Sequence, residues 1–197
     1  MSIFHLRITP VCRAAGENAL QLAARYAGTL LIDPRTGERY DFSTQTGVVH
    51  HEILSAHEGA GYWCDQQSLW QAAELAENRK NSRVAREYQI GLPHELPERQ
   101  RVDLARRWGR FLVARYQSAI DLIVRAPPAD GDPCNHYAKL LATTRHCTAH
   151  GLGAKIGIEL CTGEQCGPKE LQFLHQQWKK FVGESLRENS IDLILEK

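Results

Sequence analysis

The sequence predicts an α+β fold, a sheet with helices on one or both faces. Three observations carry that expectation. Short apolar segments, some alternating with polar residues as in Ile3–Ile8, recur between segments that space Leu, Ala and Trp as a helix does. The strand–helix–strand order repeats along the chain with no internal repeat, low-complexity tract or linker. A content of 43% hydrophobic and 24% charged residues over 197 positions is that of a globular chain, read as one domain over 1–197.

Each element has a local reason. Ile3–Ile8 reads as a first strand. Glu17–Ala27, rich in Ala and Leu, reads as a helix that ends at Gly28, as helices often do. Thr29–Ile32 and Glu38–Phe42 flank Asp33-Pro34-Arg35-Thr36-Gly37, whose Pro and Gly favour reversal, so a hairpin is expected. Val48–Leu54 is a further apolar segment, and Ser68–Arg79 carries Leu69, Ala72, Ala73, Leu75 and Ala76 at helical spacing. Glu87–Leu92 is a short strand closed by Pro93. Pro97 suits the first helical position, and the segment to Tyr116 sets Val102, Ala105, Trp108 and Leu112 on one face. Ala119–Val124 is a strongly apolar strand, 126–134 a loop and His136–Thr143 a strand. Pro168 opens a last helix with Leu171, Leu174, Trp178 and Val182 inward, and Ile191–Leu195 is a candidate edge strand.

Composition also excludes functions. A net charge of +1 gives no global attraction to nucleic acid, so such a role needs a local basic surface. No apolar run reaches the roughly 18–20 residues of a membrane span. The start, MSIFHLRITP, lacks the basic flank and apolar stretch of an export signal, so the chain is expected to be cytoplasmic with no membrane partner. The six cysteines are then expected to be reduced. Cys134, Cys147, Cys161 and Cys166 share one third of the chain with His136, His146 and His150, which invites a zinc site. The close-spaced Cys pair of common structural sites is missing, however, so small buried or loop residues are the simpler reading. Local basic charge lies on the helix from Pro97 to Gln117, where Arg99, Arg101, Arg106, Arg107, Arg110 and Arg115 face only Glu98 and Asp103, a net of +4. Arginine suits phosphate because its planar fork donates two hydrogen bonds and stays charged.

Several segments together resemble the MobA/MobL family of plasmid-mobilisation relaxases. They are IFHLRI at the start, IDPRTGERYDFSTQTGVVHHEIL at 32–54, REYQIGLPHEL at 86–96, NHYAKLLATTR at 135–145, HGLGAK at 150–155 and the Trp-containing last helix. The resemblance implies an HUH nuclease fold, an antiparallel central sheet of about five strands flanked by helices. It also implies a chemistry. A Tyr attacks a DNA phosphodiester and stays joined to the 5′ end, while three His hold a divalent metal that polarises the phosphate. Relaxases of this family commonly carry a further domain after this one, whereas this chain is expected to end about where the relaxase fold closes, as a fragment or a stand-alone protein.

The places that carry this chemistry are substituted here. Gapless alignment puts Arg25 at the nucleophile, with Tyr26 displaced by one residue, about 100° of helix rotation. Arg125 stands for the first metal ligand, and Tyr137 and Lys139 for the paired two, with His136 one step out of register and facing the other side of the sheet. Glu87 matches the first of two acidic places, and Gln89 the second. A one-residue slide would make Tyr26 the nucleophile and His136 a ligand, but would leave Ala138 and Arg125. Remote His5, His50, His51, His146 and His150 have no spacing that gathers them, and His50 reads as strand structure.

The expectation is therefore a relaxase-like pseudoenzyme without a resident cofactor. It would hold single-stranded or hairpin DNA phosphates through Arg25, Arg125, Tyr137 and Lys139, with Arg106 and Arg110 as further contacts. Tyr137 could also give a face for a base to stack on. The competing expectations are a nickase that uses Tyr26 with Mg²⁺ or Mn²⁺, a module binding only conjugation or other accessory proteins, and drift in which Arg125 and Lys139 pair with Glu87 or another acid.

Overall fold

The computed structural model describes residues 4–57, 65–157 and 166–189. Five antiparallel strands form one sheet in the order β1-β5-β7-β6-β4. They are β1 (Leu6–Cys12), β4 (Val48–Leu54), β5 (Arg83–Leu92), β6 (Ile120–Arg125) and β7 (His136–Thr143). Two hairpins stand apart from it, β2 (Leu30–Ile32) with β3 (Arg39–Asp41), and β8 (Arg145–Thr148) with β9 (Gly151–Lys155). Helices α1 (Ala19–Ala27) and α2 (Gln66–Leu75) pack with the β2–β3 hairpin on one face, and α3 (Glu98–Tyr116) and α4 (Cys166–Glu188) on the other.

Alternation along the strands divides the core in two. Tyr88, Ile90, Leu122, Val124, Ala138 and Leu140 point toward α3 and α4, while Ala85, Ile123 and Leu141 point toward α1 and α2. Three tryptophans, Trp70, Trp108 and Trp178, are fully buried and anchor both layers. Trp108 stacks on Phe111 at 5.1 Å and meets Trp178 edge-on at 5.3 Å, which locks α3 to α4. Gly109 lets α3 approach the sheet closely, since a Cβ there would lie 2.5 Å from Leu54 Cδ1.

Helix α1 is short and well terminated. Asn18 caps its start by accepting from the Gln21 N–H at 3.2 Å, and Gly28 closes it with φ +65°. Its alanines and leucines are buried, so its last turn is held firmly over the sheet, and that turn carries Arg25 and Tyr26.

The sheet, the β2–β3 hairpin and the helix ending at Gly28 agree with the sequence reading. The differences have local causes. β1 runs to Cys12 through Pro10, tolerated because β1 is an edge strand. Helix α2 starts earlier because Asp65 caps it, accepting from the Ser68 N–H at 2.7 Å, and it stops at Leu75 rather than Arg79. β5 begins at Arg83, and Pro97 caps α3 instead of opening it. The β8–β9 hairpin was not expected, because it has no apolar alternation. Leu171 is 43% exposed rather than inward: the buried stripe of α4 is Leu174, Trp178, Val182 and Leu186, and Phe173 makes the contact with Phe111 at its start. Residues 191–195 lie outside the described residues. Among the described residues no helix is long and apolar enough to cross a membrane.

Candidate functional site

The face of the sheet beneath the C-terminus of α1 gathers residues singled out in the sequence. Arg125 lies directly opposite Tyr137 across β6 and β7, and Lys139 is opposite Ile123 on one side and Gln89 on the other. A two-residue period puts Arg125, Tyr137, Lys139, Glu87 and Gln89 on the same face. His136 pairs with Leu92 on the opposite face, near His94, Glu98 and Arg101.

Tyr26 is the centre of this cluster. Its phenol donates to Glu87 Oε2 at 2.5 Å, and the Lys139 ammonium donates to the other oxygen of the same carboxylate. Lys139 also donates to Gln89 Oε1 at 2.8 Å and lies 4.9 Å from the centre of the Tyr26 ring. Burial, then the hydrogen bond and charge of Glu87, push the Tyr26 phenol well above its ordinary pKa, and Arg25 opposes this only partly. The phenol is thus a held proton donor rather than a ready phenolate. Arg25 is exposed, its guanidinium 5.4 Å from the Tyr26 ring centre.

Arg125 is spent differently. Its guanidinium donates to the carbonyls of Tyr26 at 2.7 Å, Arg25 at 3.4 Å and Thr46 at 2.7 Å. A cation at a helix C-terminus satisfies orphan carbonyls and complements the helix dipole. The structure therefore brings Arg25, Tyr26, Arg125, Tyr137 and Lys139 together, with Arg125 binding main-chain oxygens and Lys139 paired to Glu87.

Arg106 and Arg110 are not part of this cluster. Both lie on α3, which covers the other face of the sheet. Arg106 bridges Glu52 at 2.7 Å and Asp103 at 2.9 Å. Two further arginines of α3 are matched as well, Arg107 by Glu188 at 2.8 Å and Arg115 by Glu170 at 2.7 Å. The +4 read along the sequence is mostly neutralised by acids from other elements.

Arg125 and Lys139, at two of the three positions that the resemblance assigns to metal ligands, do not fit a divalent cation. Guanidinium and ammonium groups offer no lone pair while charged, and here both act as donors. Nor do the described residues bring three or more of His, Cys, Asp and Glu together in a metal-holding group elsewhere. His50 pairs with Glu52 at 2.9 Å and His146 lies 2.9 Å from the Tyr116 carbonyl. Cys134 is exposed and Cys147 buried, each a free thiol, while Cys64 and Cys161 lie outside the described residues.

Two polar clusters were missed by sequence reasoning. Buried Asp121 accepts from Gln66 and Trp70, each at 2.8 Å, and meets His51 Nε2 at 2.7 Å. Buried Glu74 joins Arg13 at 2.6 Å and Arg35 at 3.0 Å, beside Asp33. The Arg35 hydrogen bonds hold the Asp33 carboxyl down to about 2 against the opposing effect of burial. Only the short-range Asp33–Arg35 pair left a sequence signal, within its turn.

Comparison with known proteins defines the class. The chain superposes on the structure solved for the molecular basis of vancomycin resistance transfer in Staphylococcus aureus with a TM-score of 0.83, at 24% identity, over 96% of this chain and 95% of that one. It superposes on the relaxase TrwC, solved with a 27-mer DNA holding the recognition hairpin and cleavage site, at a TM-score of 0.63 and 10% identity, over 98% of this chain and 72% of that one. The fold is that of the conjugative relaxases. The model of the MobA/MobL family matches residues 17–194, and the chain belongs to that family. It is 36% identical over 127 residues to the mobilization protein MobL of Acidithiobacillus ferridurans, covering 64% of this chain and 33% of that protein. The chain thus spans about a third of the length of that relative.

Proposed function

We propose that this relaxase-like protein binds DNA, as a single strand or hairpin, on the face around Tyr26, and does not cut it. The observation that carries the reading is the pair of fixed cations, Arg125 and Lys139, standing where the family resemblance assigns metal ligands. They keep the positive potential of the site without an ion able to polarise a scissile phosphate. Arg125 acts through its charge, since its donors reach carbonyls, while exposed Arg25 and the Lys139 ammonium are the direct phosphate contacts. Tyr137, half-buried and with no side-chain hydrogen bond among the described residues, offers its ring for stacking. The TrwC complex with DNA supports the choice of ligand.

The test is a pair of assays on purified protein. A labelled single strand or hairpin should bind with affinity that falls steeply as salt rises. Supercoiled plasmid should stay intact with Mg²⁺ or Mn²⁺ present. A metal-dependent nick and a DNA-linked tyrosine, both lost in Tyr26→Phe, would establish the nickase instead. No binding even at low salt would leave accessory proteins as the partner.

A further inference from the structure

Glu87 joins the two groups on which the proposed phosphate site depends. Its carboxylate takes the Tyr26 phenol on one oxygen and the Lys139 ammonium on the other. The side chains of Lys139 and Glu87 are only 16% and 14% exposed, so the pair is mostly withdrawn from water. Gln89 and the Tyr26 ring occupy the remaining sides of the ammonium. An ammonium has three protons, and this one has none well placed for an incoming anion.

We propose that Glu87 is a resident competitor for DNA phosphate: its carboxylate fills the anion seat between Tyr26 and Lys139, and a DNA phosphate enters only by displacing it. This rests on the DNA-binding reading above and deepens it by naming what regulates the site. Two non-bridging oxygens of a phosphodiester present the same pair of acceptors and the same single negative charge. Exchange therefore keeps both hydrogen bonds but leaves a second anion beside the first, and that repulsion lowers affinity. The seat stays closed to isolated phosphate and opens only when contacts elsewhere along a strand offset the cost.

The experiment compares binding of a fluorescent single-stranded oligothymidylate by four proteins: wild type, Glu87→Gln, Glu87→Gln with Lys139→Ala, and Glu188→Gln. The last removes one negative charge from α4, 59% exposed and remote from the site. Glu87→Gln should tighten binding by about tenfold, because a close like charge is removed. It should also steepen the plot of log affinity against log salt by about 0.7, because the Lys139 charge, no longer shared with Glu87, is set wholly against a phosphate of the single strand. Adding Lys139→Ala should cancel both gains, and Glu188→Gln should show neither. In wild-type protein, the carbon-13 carboxyl resonance of Glu87 should shift as the oligonucleotide is added, a readout independent of how well the variants fold. If wild type binds but Glu87→Gln is no tighter than Glu188→Gln, or the Glu87 resonance does not move, the competitor role is overturned and DNA binding stands. If neither wild type nor Glu87→Gln binds at low salt, both readings are overturned.

Discussion

Arg125, the last residue of β6, donates to the carbonyl of Tyr26 at 2.7 Å and so ties the sheet to the final turn of α1. The same guanidinium reaches the Thr46 carbonyl at 2.7 Å, ahead of β4, so three segments distant in sequence meet at one side chain. The Arg125 side chain is thus a strut that fixes the helix carrying Tyr26.

Arg125→Ala should therefore cost stability first. Hydrogen bonds made by a charged donor are worth roughly 1.5–3 kcal/mol, and a loss of that size in urea unfolding is expected. Arg125→Lys should recover only part of it, since an ammonium lacks the planar fork that spans two carbonyls. A change under roughly 0.5 kcal/mol, the range of an ordinary surface substitution, would show that the strut holds nothing.

The His51–Asp121 pair predicts a pH dependence. Burial by itself would lower the His51 pKa, but the hydrogen bond and charge of Asp121 outweigh it and the net shift is upward. A folded value above the unfolded one means that the protonated form favours folding. The contribution is complete below the ordinary value of 6.5 and fades as pH rises through the folded value. Urea midpoints measured from about pH 6 to about pH 8, the range in which histidine changes charge, should fall in wild type and flatten in His51→Asn. Equal slopes in the two proteins would assign the dependence to another group.

Helix α3 sits close to the sheet only because residue 109 has no side chain. An added Cβ would lie 2.5 Å from Leu54 Cδ1 and 3.4 Å from Leu140 Cδ2, both in a packed core. Gly109→Ala raises helix propensity but overpacks that contact, and overpacking should win, with a net loss of about 1–3 kcal/mol. Leu54→Val in the same protein should restore part of the loss; if Gly109→Ala alone is stabilising, the approach is looser than the distances imply.

How much of this was legible follows from the range of each interaction. His136–Thr143 reads as a strand with its observed bounds, and Val48–Leu54 as an apolar segment that the structure makes a strand, because both are local patterns. The face shared by Tyr137 and Lys139 was also legible, since side-chain alternation has a fixed period, whereas Arg125 joined them only through the resemblance. What occupies that face was less so. Pairing of Lys139 with Glu87 was among the competing expectations, but the Tyr26–Glu87 contact spans 61 positions and no spacing rule connects such residues. The basic run on α3 misled for the same reason, as its counter-charges come from β4 and α4.

The Glu74 cluster gives the sharpest stability test. Glu74 is 1% exposed, receives Arg13 and Arg35 on the same oxygen, and takes the Ala19 N–H at 2.9 Å on the other. It therefore joins α2, the turn after β1, the β2–β3 turn and the first residue of α1. A buried carboxylate with such partners contributes little compared with an apolar replacement of the whole cluster, but removing one member strands the others. Glu74→Ala leaves two arginines, 19% and 30% exposed, without their shared anion, and should cost roughly 3–5 kcal/mol. When Glu74 is removed Arg35 keeps Asp33 at 2.7 Å, so Glu74 couples more strongly to Arg13 provided that Arg13 depends more heavily on that carboxylate. Arg13 does so, with Nε at 3.1 Å and one terminal nitrogen at 2.6 Å both on that carboxylate. In a double-mutant cycle the Glu74–Arg13 coupling should exceed the Glu74–Arg35 coupling. The reverse order would mean that Arg35 anchors the cluster and that the end of α1 opposite Tyr26 is held by the hairpin.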